Sequence, residues 1–243
     1  MIVFAHVSDI HLDLGKRAWE RTARVMGYLD GLPGKLDAVV VTGDLADHGL
    51  AGEYEQVAKV LVGRVPVLIC PGNHDVRSAY REVLLGEAAG DAPVNRVHRV
   101  AGATFLMCDS TIPGQADGLL SDETLAWIDA TLGEDDGPAF VAFHHPPQPL
   151  HIPWIDEYRQ HGAHRLAAVL DRHPRVRALL CGHVHTPAVT TFAGRPLLVA
   201  PGVVSTIKLP WEDGDVDHDL PPAIAFHVLD DELRMTTHYR VVL

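Results

Sequence analysis

The strongest constraint in this sequence is a pattern that occurs five times, in which a short apolar run ends in residues that bind metal ions. The apolar run Ala38 to Val41 ends in Thr42-Gly43-Asp44. The other four blocks, in chain order, are Asp9-Ile10-His11, Gly72-Asn73-His74-Asp75, His144-His145-Pro146-Pro147 and Gly182-His183-Val184-His185. Short apolar runs of this kind predict buried strands. Ligands bind at the carboxyl ends of strands in α/β sheets, so we expect the five strand ends to converge on one site.

The residue types in these blocks predict a site for two metal ions. Residues two apart on an extended segment project to the same side, which applies to Asp9 with His11 and to His183 with His185. Oxygen and imidazole ligands without thiolate suit Mn, Fe, Zn or Co. The candidate ligands are Asp9, His11, Asp44, Asn73, His144, His183 and His185. These seven residues are too many for one ion but are enough for two divalent or mixed-valence ions if Asp44 bridges them. Two ions about 3.5 to 4 Å apart serve in-line displacement at phosphorus.

Length and charge limit the other functions of the chain. Its 243 residues, 47% of them hydrophobic, are enough for a full core, and no linker or repeat divides them, so we predict one domain over 1–243. The net charge of −12 leaves no basic stripe, which disfavours nucleic acid as a partner. Two cations beside Asp9 and Asp44 would keep a positive surplus, so the acidic chain can still bind a small anionic substrate as its partner.

Compartment and assembly are predicted from weaker signals. A strand begins at once and Asp9 follows too early for a signal peptide, and no apolar run reaches the roughly 18 residues that span a bilayer. The three cysteines Cys70, Cys108 and Cys181 form no CxxC pair, as expected of buried thiols in a reducing compartment. We therefore expect a cytoplasmic protein, with its state as monomer or homo-oligomer left open.

The order of helical and strand patterns predicts an α/β fold. Strands near 2–8, 37–42 and 65–70 alternate with helices near 16–31 and 53–62, which calls for parallel strands. A helix is predicted from the N-cap Ser121, and another over 157–171. From Arg175 onward the pattern is of strands and hairpins, with turns near Ala101-Gly102, Ala193-Gly194 and Asp230-Asp231. We predict a four-layer αββα sandwich of two mixed sheets flanked by helices.

The five blocks, in the same order, resemble the signature of the calcineurin-like metallophosphoesterases. The resemblance covers residues 9 to 185. In finer detail the chain is similar to class III cyclic nucleotide phosphodiesterases and related glycerophosphodiesterases, through Asp109-Ser110-Thr111, the helix bearing Trp127, Pro201-Gly202 and Pro221-Pro222. The resemblance implies hydrolysis of 3',5'-cyclic nucleotides by a metal-bridging hydroxide, with glycerophosphodiesters such as glycerophosphoethanolamine as the alternative.

The resemblance also implies a role for each motif residue. His74 would lie beside the substrate as a catalytic donor, and Asp75 would support it by orienting its imidazole. One metal would be held by Asp9, His11 and His185, and the other by Asn73, His144 and His183, with Asp44 between them.

Three other functions are weaker on the sequence. Ser/Thr protein phosphatases have Asp-Arg-Gly after the bridging aspartate and Glu after Asn-His, whereas this chain has Leu45-Ala46-Asp47 and Asp75. A non-catalytic binding module with the same fold would lose ligands, and none is missing here. A DNA exonuclease predicts basic surface that the composition lacks.

Several polar or aromatic residues near the motifs have ordinary explanations. His145 is expected beside the metal ligands or in the pocket wall. His151 and Trp154, on the loop after His144, are as consistent with solvent or packing roles as with the pocket. The acidic run Glu212, Asp213, Asp215, Asp217 and Asp219 is expected to be a solvated hairpin loop.

Overall fold

The computed structural model describes residues 1–243. Its helices are α1 (Lys16–Asp30), α2 (Ala51–Val60), α3 (Arg77–Tyr80), α4 (Asp122–Leu132), α5 (Pro153–Asp156) and α6 (Ala163–Leu170), and α3 continues into a π-helical turn, Arg81–Leu85. The strands are β1 (Ile2–Val7), β2 (Ala38–Thr42), β3 (Val67–Cys70), β4 (Arg96–Val100), β5 (Ala103–Met107), β6 (Gly118–Leu119), β7 (Ala139–Ala142), β8 (Gln160–His161), β9 (Val176–Cys181), β10 (Ala188–Phe192), β11 (Arg195–Val199), β12 (Thr206–Ile207), β13 (Val216–Asp217), β14 (Ala223–Leu229) and β15 (Met235–Val241).

Two large mixed sheets form the centre of the molecule. The first has the order β15-β14-β1-β2-β3 and the second β10-β11-β9-β7-β5-β4. Strands β1, β2 and β3 are parallel, as are β5, β7, β9 and β11, while the outer strands β4, β10, β14 and β15 pair antiparallel with their neighbours. The predicted mixture of parallel and antiparallel pairing is therefore confirmed.

Three apolar clusters define four layers. The central cluster joins side chains of both sheets, such as Phe4 and Val40 of the first with Phe105 and Phe140 of the second. A second cluster packs α1 and α2 on the outer face of the first sheet, and a third packs α4 and α6 on the outer face of the second. This is the predicted αββα sandwich, in which each apolar face is covered by a neighbouring layer.

The three predicted hairpins form, two of them as tight two-residue turns, while the one at Asp230-Asp231 joins β14 to β15 through the longer loop 230–234. Ala101 and Gly102 have φ of 50° and 82°, and Ala193 and Gly194 have φ of 47° and 72°. Two successive residues with positive φ are what a tight two-residue hairpin requires, because that backbone follows the twist of the strands. These turns join β4 to β5 and β10 to β11.

One predicted helix is wrong in its extent. The segment 157–171 contains the short strand β8 and only then helix α6, which follows Gly162 at φ 64°. The apolar spacing of Leu166 and Leu170 belongs to α6 alone, and β8 pairs with β6, a partner more than 40 residues away in the chain. Such long-range pairing overrides a local periodic pattern.

Candidate metal centre

All seven predicted ligands lie at one edge of the sandwich, where β1, β2, β3, β7 and β9 end. Side-chain ligand atoms of Asp9, His11 and His185 lie within 4.8 Å of one another, as do those of Asp9, Asp44 and His144. The remaining two predicted ligands meet each other, since Asn73 Oδ1 is 3.2 Å from His183 Nδ1. His183 Nδ1 is in turn 3.3 Å from His144 Nε2, so the ligands form one continuous cluster.

The backbone at these positions is unusual for residues with a side chain. Positive φ angles occur at Asp9 (55°), His11 (38°), Asp44 (49°), His183 (72°) and His185 (50°). This left-handed conformation costs of order 1–3 kcal/mol per residue. Hydrogen bonds between neighbouring turns hold the backbone in this conformation. Asp9 N–H donates to the carbonyl of Gly43 at 3.1 Å, and His11 N–H donates to the carbonyl of Asp44 at 2.9 Å. Strain concentrated at a cluster of ligands is typical of a functional site.

Glycine in the motifs permits this close approach. A Cβ on Gly72 would collide with the backbone nitrogen and the carboxylate of Asp44. A Cβ on Gly182 would collide with the side chain of Ser8 and the carbonyl of Thr42. The glycines before Asn73 and His183 are therefore required by the contact between adjacent strand ends.

Hydrogen bonds orient three of the cluster's histidines so that Nε2 faces its centre. His11 Nδ1 is 2.9 Å from Asp47 Oδ1, and His144 Nδ1 is 2.6 Å from the carbonyl of Thr42. Because both partners are acceptors, each Nδ1 is the donor and Nε2 is left for another ligand. His185 Nδ1 is 2.8 Å from Ser205 Oγ, a hydroxyl that can donate or accept, so this bond orients the ring and turns Nε2 to the cluster.

The free Nε2 atoms converge on carboxylate oxygens. His185 Nε2 is 3.3 Å from Asp9 Oδ1, an atom that is buried and accepts no hydrogen bond. Asp44 Oδ2 lies 3.4 Å from His11 Nε2 and 3.3 Å from His144 Nε2. One oxygen of Asp44 thus stands between the two halves of the cluster. Imidazole nitrogens and carboxylate oxygens thus surround a buried oxygen that has no hydrogen bond. This set of donor atoms fits a dinuclear cation site.

The charges of the cluster depend on each other. Burial raises the pKa of Asp9, but the adjacent imidazoles of His185 and His144 outweigh it and lower the pKa to about 2. Burial lowers the pKa of His144, but the carboxylate of Asp44 outweighs it and raises the pKa to about 9. The carboxylates are thus ionised and draw positive charge towards the cluster, which a metal ion would supply in place of a proton.

The family of the chain follows from comparison with known proteins. The family model for calcineurin-like phosphoesterases matches residues 2–187. The chain belongs to the calcineurin-like phosphoesterases. This family has a dinuclear metal centre, in agreement with the clustered Asp and His side chains.

Two sequence relatives and one solved structure extend this result. The chain is 33% identical over 241 residues to the glycerophosphodiester phosphodiesterase GpdQ of Enterobacter lignolyticus, covering 93% of this chain and 86% of the relative. It is 32% identical over 211 residues to the 3',5'-cyclic adenosine monophosphate phosphodiesterase CpdA of Escherichia coli, covering 83% and 76%. A dimetal phosphatase from Danio rerio has the same fold, with a TM-score of 0.75, 15% identity and coverage of 100% and 96%.

His74 lies at the mouth of the cluster, where its side chain is 41% exposed. Its backbone N–H donates to Asp44 Oδ1 at 2.9 Å, and its Nδ1 donates to the carbonyl of Asp47 at 2.7 Å. The ring packs edge to face on His11, with centroids 4.6 Å apart. This arrangement leaves Nε2 of His74 available to a substrate beside the cluster.

The expected contact between Asp75 and the His74 imidazole is not made, and that part of the sequence analysis is wrong. Asp75 is buried and its carboxylate accepts from the backbone N–H groups of Leu45, Ala46 and Gly72 at 3.1, 3.1 and 2.8 Å. A fourth bond comes from the Tyr54 hydroxyl at 3.1 Å. Burial, followed by the charge of Asp44, raises the pKa of Asp75 to about 6. Asp75 therefore ties the turn after β2 to the turn after β3.

Sequence reasoning did not assign a role to Asp47, which does what was expected of Asp75. Its carboxylate binds His11 Nδ1 and its carbonyl binds His74 Nδ1. The available signal was its position three residues after Asp44 in the same strand-end turn. A ligating imidazole needs an acceptor on its other nitrogen, and a nearby carboxylate is the usual candidate.

His145 is close to the cluster but is fully engaged elsewhere. Its Nδ1 is 2.8 Å from Ser110 Oγ and its Nε2 is 3.2 Å from the carbonyl of Ala116. Both nitrogens are therefore used, although the ring lies 4.7 Å from that of His183. His145 thus lies beside the candidate ligands, as expected, and spends both ring nitrogens on Ser110 and Ala116.

An open cleft of about 320 Å³ leads from the cluster to the surface. Its walls combine candidate ligands with side chains from α5, the segment after α5 and the β12–β13 hairpin. No lysine or arginine lines it. The lining residues are His11, Asp44, Asn73, His74, Ala116, Trp154, Ile155, Tyr158, His183, His185, Ser205, Ile207, Val216 and His218. His151 lies outside it, in a separate depression with Gln148 and Val189.

No helix combines the length and apolar composition needed to cross a membrane.

Proposed function

We propose that this chain is a dinuclear-metal-dependent phosphodiesterase whose main substrates are 3',5'-cyclic nucleotides. The observation that carries the proposal is the position of Asp44 Oδ2, 3.4 Å from His11 Nε2 and 3.3 Å from His144 Nε2. A single carboxylate oxygen between two groups of ligands is what a pair of bridged cations requires.

The residues fit a division into two metal sites. Asp9, His11 and His185 would hold one ion, Asn73, His144 and His183 the other, and Asp44 both. The donors are oxygen and imidazole atoms, which suit Mn, Fe or Zn. When bound, the ions would supply Lewis acidity and lower the pKa of water for attack on phosphorus.

The charge of the cleft favours a diester. A phosphomonoester carries about −1.5 to −2 charges near neutral pH, whereas a diester carries one. The walls of the cleft provide no lysine or arginine to pair with a second charge. Two divalent cations opposed by Asp9 and Asp44 would leave about two positive charges, one for an attacking hydroxide and one for a singly charged phosphoryl group.

His74 is the residue proposed to act on the substrate. Its Nδ1 is fixed by the carbonyl of Asp47, so its Nε2 can reach a phosphoryl oxygen or the leaving oxygen. Because Nδ1 donates to that carbonyl, Nε2 carries a proton only in the imidazolium form, and in that form it would donate to the charge that develops in the transition state. Asp75 is proposed to act only through the backbone of the two ligand turns.

Glycerophosphodiesters are the second candidate substrates. The relative in Enterobacter lignolyticus is a glycerophosphodiester phosphodiesterase, and the alignment covers 86% of its length. Both substrate classes present one negative charge on the diester, so the metal cluster alone does not distinguish them. The difference must come from the outer walls of the cleft.

A substrate panel tests the proposal. Protein reconstituted with Mn, Fe or Zn is assayed with cAMP, cGMP, glycerophosphoethanolamine, glycerophosphocholine, a phosphomonoester and bis(p-nitrophenyl) phosphate. We expect the highest kcat/KM for a cyclic nucleotide and little turnover of the monoester. Loss of all activity after loading with each metal would contradict the proposal and favour a binding module, and preference for a glycerophosphodiester would select the second candidate.

We also propose that the protein acts in the cytoplasm. The three cysteines are buried free thiols, which persist in a reducing compartment. Detection of the native protein by cell fractionation tests this location.

A further inference from the structure

Two aromatic side chains that line the cleft are not among the candidate metal ligands and keep a large exposed surface. Trp154 is 40% exposed and Tyr158 is 41% exposed, and both line the cleft that contains the ligand residues. Exposed aromatic surface in a concave site next to reactive groups is typical of ligand binding. Resting on the proposed function, we propose that Trp154 and Tyr158 form the platform on which the base of a 3',5'-cyclic nucleotide stacks.

The platform is rigid before any ligand binds. Asp156, which lies between the two aromatic residues in the chain, accepts hydrogen bonds from the backbone N–H groups of Leu150 at 2.8 Å and Ile152 at 3.1 Å. The side chains of Ile152 and Ile155 are buried in the core of the second sheet. Because the loop is fixed by these contacts, binding a base would order few further groups.

An aliphatic wall completes the outer cleft. Ile207 of β12 and Val216 of β13 line it, on strands that pair antiparallel. Arg21 of α1 holds this hairpin to the core by donating to the carbonyls of Val203 at 2.7 Å and Leu220 at 2.6 Å. A flat, uncharged ring fits a space bounded by aromatic and aliphatic side chains.

The charges of the cleft favour a base over the ammonium group of a glycerophosphodiester. An aromatic pair could also bind a quaternary ammonium. However, Asp44 is the one carboxylate among the residues that line the cleft, and it belongs to the metal cluster. The residues that line this cleft thus offer an incoming cation no further counter-charge, whereas a neutral base needs none. Glu212 and Asp215 share an adjoining depression with Trp154, together with the opposing charge of Lys208.

The test compares two substrates that differ only in the base. One is cAMP, and the other is the methyl riboside 3',5'-cyclic phosphate, which keeps the reacting diester and lacks the base. In Trp154→Ala and Tyr158→Ala we expect kcat/KM for cAMP to fall about 5- to 150-fold, mainly through KM, as for loss of one base-stacking aromatic. The substrate without a base should change less than about 2-fold, and Trp154→Phe should retain most of the cAMP activity.

Tyr28→Ala is the matched control, since Tyr28 is 36% exposed on α1 and lines a separate pocket. We expect it to leave both substrates unaffected. Circular dichroism melting of each variant shows whether the fold is intact. Binding of a slowly hydrolysed phosphorothioate analogue of cAMP, which keeps the single charge of the diester, should quench tryptophan fluorescence in the wild type and fail to do so in Trp154→Phe.

Three results would overturn the platform. They are equal losses for both substrates, unchanged cAMP kinetics in a folded Trp154→Ala Tyr158→Ala double variant, and a loss confined to glycerophosphocholine. A wild-type enzyme that hydrolyses bis(p-nitrophenyl) phosphate but neither cyclic phosphate would instead refute the cyclic nucleotide function, and the platform with it. The two failures are therefore distinguishable.

Discussion

Removing the Asp75 carboxylate should destabilise the fold rather than slow the chemistry alone. Asp75 accepts four hydrogen bonds from buried or partly buried donors, three of them backbone N–H groups. A buried donor left unpaired costs about 1–3 kcal/mol. Asp75→Ala would thus cost about 4–12 kcal/mol, against a total stability of about 5–15 kcal/mol for a typical domain. We expect this variant to be largely unfolded.

Asp75→Asn is the measurable version of the same change. Asparagine keeps one accepting oxygen, so two of the four donors lose their partner at a cost of about 2–6 kcal/mol. The neutral amide also removes the cost of burying the charge that raises the pKa of Asp75, so we expect a net loss at the lower end of that range. The assay is urea unfolding of the metal-free protein at pH 7.5, followed by circular dichroism, together with kcat of the loaded protein. Tyr54→Phe is the matched control, since it removes the hydroxyl that donates to Asp75 and accepts from Val76 N–H at 2.7 Å. We expect it to lower the free energy of unfolding by about 1–3 kcal/mol.

The reasoning would be refuted by an Asp75→Asn variant that unfolds at the same urea concentration as the wild type. If such a variant were also slowed about 100-fold, the size of effect seen when one transition-state donor is lost, the carboxylate would be acting through His74. That was the expectation from the sequence resemblance.

Four other variants test the remaining parts of the site and the core. Asn73→Ala should abolish turnover and reduce bound metal from two ions per chain to one by elemental analysis, and near wild-type rates would remove the second ion from the scheme. His74→Ala should lower kcat about 100-fold or more with the metal content unchanged. Gly72→Ala should displace Asp44, so we expect lost metal binding by titration calorimetry. Burial lowers the pKa of His227 from 6.5 to about 3, so the folded protein holds this side chain neutral. The free energy of unfolding is therefore highest above pH 6.5 and decreases as the pH falls towards 3. Urea titrations should show a slope near pH 5 that is steeper by about 1.4 kcal/mol per pH unit in the wild type than in His227→Gln.

The ligand set could be predicted because chemistry and local structure coincide in the chain. Each apolar strand ends directly in its ligands, and parallel strands bring their carboxyl ends to one edge of a sheet. The glycines before Asn73 and His183 mark the same positions, since only glycine allows the strand ends to approach so closely. Hairpins such as that at Ala193-Gly194 are equally local, because two adjacent residues define the turn.

The sequence by itself thus determined the fold class, the family and the convergence of the candidate ligands on one edge of the sandwich. The tertiary structure alone decided which acceptor each imidazole uses, placing Asp47 on His11 and His74 and turning Asp75 to the backbone. It also brought Trp154 and Tyr158 to the cleft, and it replaced the first part of the helix predicted over 157–171 with the short strand β8. These outcomes depend on contacts between segments far apart in the chain, and the free energy of such contacts is not encoded in any local pattern of residues.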